Sequence, residues 1–132
     1  MAKLIHTMIR VRDLDRSLAF YRQAFALEIS NRLDFPDFSL VYLRGREGDH
    51  ELELTWNKGR AEAYMHGDGY GHVAFCVDAV AAARDRMQEL GLAPGEIKEF
   101  RDHDQALIAR YFFVQDPDGY KIEVLERHGH YG

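Results

Sequence analysis

The chain contains the same pattern of residues twice, and this internal repeat limits the folds that are open to it. Each copy begins with a histidine on an alternating strand that ends at an aspartate, first from His6 to Asp13 and then from His72 to Asp78. Each copy also ends in a strand that carries a glutamate, Glu53 in the first and Glu123 in the second. Because the repeat aligns polar residues as well as apolar ones, it predicts two similar modules.

Alternation and helical spacing give the same order of elements in both copies. In the first, strands are predicted at 5–11, 28–33, 38–43 and 51–57, and a helix capped by Asp13 or Asp15 presents a stripe of Leu14, Leu18, Tyr21 and Phe25. In the second, strands are predicted at 71–77, 97–100, 110–114 and 120–125, and a helix capped by Asp78 presents Val80, Ala83, Met87 and Leu90 before ending at Gly91. The fold class is therefore α+β, with two βαβββ modules at about 1–58 and 70–127. A glycine-containing linker joins them within one domain, 1–132.

The turn Asp116-Pro117-Asp118-Gly119 fixes the start of the last strand. Proline presets φ, the aspartates can accept backbone hydrogen bonds, and glycine tolerates a positive φ. In the strand that follows, Ile122 and Val124 share one face, and Glu123 lies on the other.

The composition excludes several classes of function. The 132 residues are 46% hydrophobic, which is enough for a compact core, and the net charge of −5 disfavours nucleic acid and anionic membranes as partners. Cys76 is the only cysteine, which rules out a disulfide framework and an all-thiolate zinc site. No apolar run is long enough to span a membrane or resembles a signal peptide, so a cytoplasmic location is expected.

Each module thus offers one imidazole and one carboxylate, and a pseudo-twofold arrangement of the modules could bring all four together. Two histidines and two glutamates are suitable ligands for a borderline divalent ion such as nickel, cobalt, zinc or manganese. Glu51 lies on the same strand face as Glu53 and remains a rival for that ligand position.

Four segments resemble motifs of glyoxalase I, lactoylglutathione lyase, in the vicinal oxygen chelate superfamily. They are His6-Thr7-Met8-Ile9-Arg10-Val11, Glu53-Leu54-Thr55-Trp56-Asn57, Gly69-Tyr70-Gly71-His72 and Asp116-Pro117-Asp118-Gly119-Tyr120-Lys121-Ile122-Glu123. The resemblance implies that His6, Glu53, His72 and Glu123 are the metal ligands. It further implies that Arg10 and Asn57 contact glutathione, and that a homodimer builds each site from both chains. The short chain is most similar to the nickel- or cobalt-activated members, with zinc or manganese also possible.

The reaction that this resemblance implies is isomerisation of the glutathione–methylglyoxal hemithioacetal to S-lactoylglutathione, which detoxifies methylglyoxal. A metal near two adjacent oxygens would stabilise the cis-enediolate formed on proton loss. By analogy with the family, Glu123 is the candidate base, and Glu53 lies next to the opposite face of the substrate.

Two departures from the family pattern leave the identity of the substrate thiol undecided. Asp68 stands where some glyoxalases have a basic residue, and the 100–110 segment lacks the usual glycine- and lysine-rich loop. Lys98, Arg101 or Arg110 could supply the positive charge. Alternatives of the same fold are an acyl-CoA epimerase, a ring-cleaving dioxygenase, which would leave one glutamate unexplained, and a non-catalytic binding protein of the bleomycin-resistance type.

Overall fold

The computed structural model describes all residues from 1 to 132, and the chain divides into two compact units, Met1–Met65 and His66–Gly132. The division falls in the glycine-containing stretch that follows Asn57. Neither helix is long and apolar enough to cross a membrane.

Each unit is a four-stranded sheet with one helix, in the predicted order of strand, helix and three strands. The first unit comprises β1 (His6–Val11), α1 (Leu14–Phe25), β2 (Glu28–Asp34), β3 (Phe38–Arg44) and β4 (Glu51–Asn57). The second comprises β5 (Val73–Val77), α2 (Val80–Glu89), β6 (Lys98–Arg101), β7 (Leu107–Gln115) and β8 (Lys121–Glu126). The sheet orders are β1-β4-β3-β2 and β5-β8-β7-β6, with the first and last strands of each unit parallel. The α+β fold of two βαβββ modules is therefore confirmed.

Helix α1 is capped by Asp13, one of the two predicted candidates, but it buries a wider stripe than the sequence indicated. The side chain of Asp13 accepts the backbone N–H of Arg16 at 3.1 Å, and the helix ends at Ala26 in the left-handed conformation. The buried side chains are Leu14, Ser17, Phe20, Tyr21 and Ala24. Leu18 and Phe25, two members of the predicted stripe, are only half-buried. Small side chains such as those of Ser17 and Ala24 can be buried where a helix lies close to its neighbours. They contribute little to the pattern of large apolar residues that predicted the stripe.

The predicted cap of α2 is wrong. Its N-cap residue is Ala79, and Asp78 instead pairs with Arg127 at 3.1 Å. The N–H of Val80 is accepted by Glu126 at 3.1 Å, because the register of the parallel pair places Glu126 opposite Val77, at the end of β5. A carboxylate from another strand thus replaces the local cap. The helix ends at Glu89, and Gly91, the residue expected to end it, follows the C-cap Leu90 with a φ of 76°.

The DPDG turn positions β8 as predicted. The buried carboxylate of Asp116 accepts the N–H groups of Asp118 and Tyr120 at 2.9 and 3.0 Å, and Gly119 has a φ of 83°. After this turn, the alternate side chains of Ile122 and Val124 on β8 are buried in the core, where α2 packs on β7 and β8.

Both sheets have one core face and one face that carries polar groups. In the first unit the core face presents a row of buried apolar side chains: Ile9, Val11, Val41, Leu43, Leu52 and Leu54. The opposite face carries His6, Arg10 and Glu53, as the two-residue period predicted.

Candidate metal centre

A histidine and a glutamate meet on the polar face of the first sheet. Met8 on β1 is paired with Glu53 on β4, and His6 lies two residues before Met8 on the same face. This register brings His6 Nε2 to 3.6 Å from Glu53 Oε1. The glutamate is 8% exposed, whereas the imidazole remains open to solvent.

The second sheet repeats this arrangement in the same register. Ala74 on β5 is paired with Glu123 on β8, and His72 lies two residues before Ala74. His72 Nε2 is 3.8 Å from Glu123 Oε1. The repeat that was visible in sequence is therefore also a repeat of side-chain geometry.

An aromatic ring contacts the histidine of each pair. Tyr42 on β3 is paired with Glu53, and its ring meets that of His6 edge-on, with centroids 5.6 Å apart and planes at 77°. Phe113 on β7 is paired with Glu123, and its ring meets that of His72 at 5.6 Å and 74°. Tyr42 and Phe113 are thus equivalent positions of the two units.

The two glutamates nevertheless differ in their hydrogen bonds. The hydroxyl of Thr55 donates to Glu53 Oε2 at 3.0 Å. A hydrogen bond between the Tyr42 phenol and Glu53 raises the pKa of Tyr42, as do burial and the negative charge of the carboxylate, because all three disfavour the phenolate. Leu125 and Phe113 stand at the equivalent positions beside Glu123, and neither has a hydroxyl. The contact of Glu123 with a polar side chain is the one with His72.

Glu51 shares the face of Glu53 but has different partners. Its carboxylate lies 3.2 Å from Arg44 Nη2 and accepts a hydrogen bond from the hydroxyl of Ser30. Although His6 is the residue paired with Glu51 in the strand register, the imidazole makes its ion-pair contact with Glu53.

The donor atoms of each pair fit a shared divalent ion. Imidazole nitrogen and carboxylate oxygen bind zinc-like ions at about 2.0–2.2 Å, so neighbouring ligands lie roughly 3 Å apart. The observed separations of 3.6 and 3.8 Å need only small side-chain rotations to reach that value. No group of three or more histidine, cysteine, aspartate or glutamate side chains that could hold a metal ion is present in the structure.

The residues expected to bind the thiol portion lie along the same strands of the first unit. Arg10 follows His6 on the polar face of β1 and is paired with Thr55. Asn57, at the end of β4, donates from Nδ2 to the hydroxyl of Tyr64 at 3.1 Å. No pattern in the sequence singled out Tyr64, Tyr42 or Thr55 as a site residue. Of these, only Thr55 could have been found from its place two residues after Glu53.

The three basic residues that could supply a positive charge to the site have different partners in the structure. Arg101 contacts Glu99 at 2.6 Å and the carbonyl of Gln105 at 3.0 Å, and Arg110 lies 3.6 Å from both Glu99 and Glu126. The exposed ammonium group of Lys98 has no such partner. Lys98 is paired with Tyr111, which places it on the same sheet face as Glu123.

Comparison with known proteins identifies the family. Residues 3–124 match the model of the Glyoxalase/Bleomycin resistance protein/Dioxygenase superfamily. The chain belongs to this superfamily. It is 38% identical to a probable lactoylglutathione lyase of Synechocystis, across 93% of this chain and 94% of that protein. It is 35% identical to the lactoylglutathione lyase of Haemophilus influenzae, across 94% and 92%.

A solved structure extends this comparison. The trypanothione-dependent glyoxalase I of Leishmania major is 35% identical, with a TM-score of 0.75, across 96% of this chain and 87% of that one. Together these relatives confirm the resemblance to glyoxalase I and the expectation of an enzyme of the lactoylglutathione lyase class.

Proposed function

We propose that this member of the glyoxalase superfamily isomerises the hemithioacetal of glutathione and methylglyoxal to S-lactoylglutathione. The observation that carries the proposal is the histidine–glutamate pair, which occurs twice in the same strand register. The curated relatives named lactoylglutathione lyase support the choice of reaction.

In this proposal His6, Glu53, His72 and Glu123 hold one divalent ion, with nickel or cobalt preferred and zinc or manganese possible. A homodimer supplies each site with ligands from both chains. The ion, when bound, stabilises the negative charge that develops on adjacent substrate oxygens as the proton leaves. The engagement of Glu51 by Arg44 and Ser30 supports Glu53 as the ligand.

Glu123 is the proposed base. Its carboxylate takes the proton from the carbon that bears sulfur and returns it to the neighbouring carbon, so the product is an isomer and no external oxidant is required. Arg10 and Asn57 bind the glutathione portion, because a guanidinium suits a carboxylate and an amide can pair with peptide groups. Lys98, which has no acidic partner, supplies a further positive charge.

Metal removal and replacement test the proposed reaction. The protein is treated with a chelator, dialysed and reloaded separately with nickel, cobalt, zinc or manganese. Formation of S-lactoylglutathione is then followed by the ultraviolet absorbance of the thioester. Activity should be lost with the metal and return most strongly with nickel or cobalt. Failure to form the thioester with any of the four ions would refute the reaction.

A further inference from the structure

The duplicated pairs differ at the two positions that contact the carboxylate. Glu53 accepts a hydrogen bond from the hydroxyl of Thr55 and is paired with Tyr42, which carries a phenol, whereas Glu123 has Phe113 and Leu125 at the same register positions. The imidazole–aromatic geometry is otherwise closely similar, with both centroid distances at 5.6 Å and interplanar angles of 77° and 74°. The backbone and ring positions are thus conserved between the units, and the hydroxyl groups are not.

We propose that Tyr42 and Thr55 are positioning residues that immobilise Glu53, and that their apolar counterparts Phe113 and Leu125 leave Glu123 free to rotate. The difference decides which of two otherwise equivalent carboxylates transfers the proton. This inference rests on the proposed function, since it assigns a fixed role to one glutamate and a mobile role to the other.

The two carboxylates differ more in their hydrogen bonds than in their burial. The side chains of Glu53 and Glu123 are 10% and 17% exposed, so both lie in similarly restricted space. The Glu53 carboxylate must break its hydrogen bond with Thr55 and leave the neighbouring Tyr42 phenol in order to turn, whereas Glu123 makes its polar contact with His72 alone. A base that accepts a proton from one carbon and delivers it to the next has to change direction, and the tethered Glu53 is poorly suited to that movement.

Reciprocal exchange of the two positions tests this inference. Phe113→Tyr combined with Leu125→Thr adds hydroxyls beside Glu123, and Tyr42→Phe combined with Thr55→Val removes those beside Glu53. The first double variant should lose about tenfold or more in kcat while KM and nickel affinity change less than about threefold. The second should lose about 10- to 100-fold in nickel affinity, as is typical when a partner of a metal ligand is removed. Tyr131→Phe, which removes a phenol from the tail, should leave both quantities unchanged.

Side-chain mobility provides a measurement that requires neither metal nor turnover. In metal-free wild-type protein with 13C-labelled glutamate side chains, relaxation should show a restricted Glu53 and a mobile Glu123. Adding hydroxyls beside Glu123 should restrict its carboxylate.

The outcomes separate this inference from the proposed reaction. Equal mobility of the two wild-type carboxylates, or an unchanged kcat in the variant with hydroxyls beside Glu123, would overturn the inference even if wild-type turnover is high. A wild type without S-lactoylglutathione activity would refute the reaction. The relaxation measurement alone would then test whether the Glu53 carboxylate is held more rigidly than that of Glu123.

Discussion

His6 Nε2 lies 3.6 Å from Glu53 Oε1, although the two residues belong to the first and last strands of their unit. The parallel pairing of β1 with β4 creates this proximity, and the pairing of β5 with β8 creates it again between His72 and Glu123. A histidine and a glutamate on adjacent parallel strands are thus the repeated chemical unit of the molecule.

Replacing the proposed base should lower turnover sharply and preserve the fold. Glu123→Gln keeps the size of the side chain but removes a base whose contribution is about 10²- to 10⁴-fold in rate. Because Glu123 is also a proposed metal ligand, we expect a decrease of that size in kcat per bound nickel ion, measured with saturating hemithioacetal, and little change in the melting temperature. Glu96→Gln, at an exposed position without a hydrogen-bond or ion-pair partner, is the matched control. Near wild-type turnover in Glu123→Gln would eliminate Glu123 as the base.

The two neighbouring glutamates of β4 should respond differently to the same substitution. Glu53→Gln is expected to lower bound nickel to well below that of the wild type, as measured by elemental analysis after dialysis, because a proposed ligand is lost. Glu51→Gln breaks an ion pair with Arg44, so a loss of stability of about 0–1 kcal/mol and full metal content are expected. The assignment fails if Glu51→Gln is the variant that loses metal.

Lys98 should be the cation that matters for substrate affinity. A free ammonium group that pairs with a ligand carboxylate contributes about 1 kcal/mol or less, so Lys98→Gln should raise KM by roughly three- to fivefold with kcat unchanged. Arg101→Gln is the comparison, since this guanidinium is already paired with Glu99. A larger KM effect in Arg101→Gln than in Lys98→Gln would reverse the choice.

The stability of the first unit should depend on pH through Asp34. The hydroxyl of Ser39 donates to this carboxylate and Arg32 contacts both of its oxygens, so the pKa of Asp34 lies below the ordinary value of 3.8. A group whose pKa is lowered on folding stabilises the folded state above its unfolded pKa, and this stabilisation disappears as the pH falls through the folded pKa.

Urea unfolding of Asp34→Asn therefore should show a deficit relative to wild type at pH 7 that shrinks below about pH 4. Asp85→Asn, at an exposed position on α2, should show no such pH-dependent deficit. A deficit for Asp34→Asn that stays constant across this range would contradict the lowered pKa.

Sequence periodicity was sufficient to place His6, Glu53, His72 and Glu123 on the faces that they occupy. Strict alternation in β1, β4 and β8 fixes which side chains point together, and the repeat indicated that the two units would share one register. The cap of α1 was also readable, because Asp13 acts on the N–H of a residue three positions later.

What the sequence did not reveal depends on pairing between distant strands. Tyr42 faces Glu53 only because of the register between β3 and β4, which the intervening loop does not specify. Glu126 displaces Asp78 as the partner of the first turn of α2 for the same reason, since it arrives from β8. Both are contacts between elements that local patterns describe separately.

The most direct test of the account is a crystal structure of the nickel-loaded protein, with the ion located by anomalous scattering. We expect one ion per chain, bound by the side chains of His6, Glu53, His72 and Glu123 at about 2.0–2.2 Å. An ion held elsewhere, for example by His128 and His130, with these four side chains unliganded would contradict it.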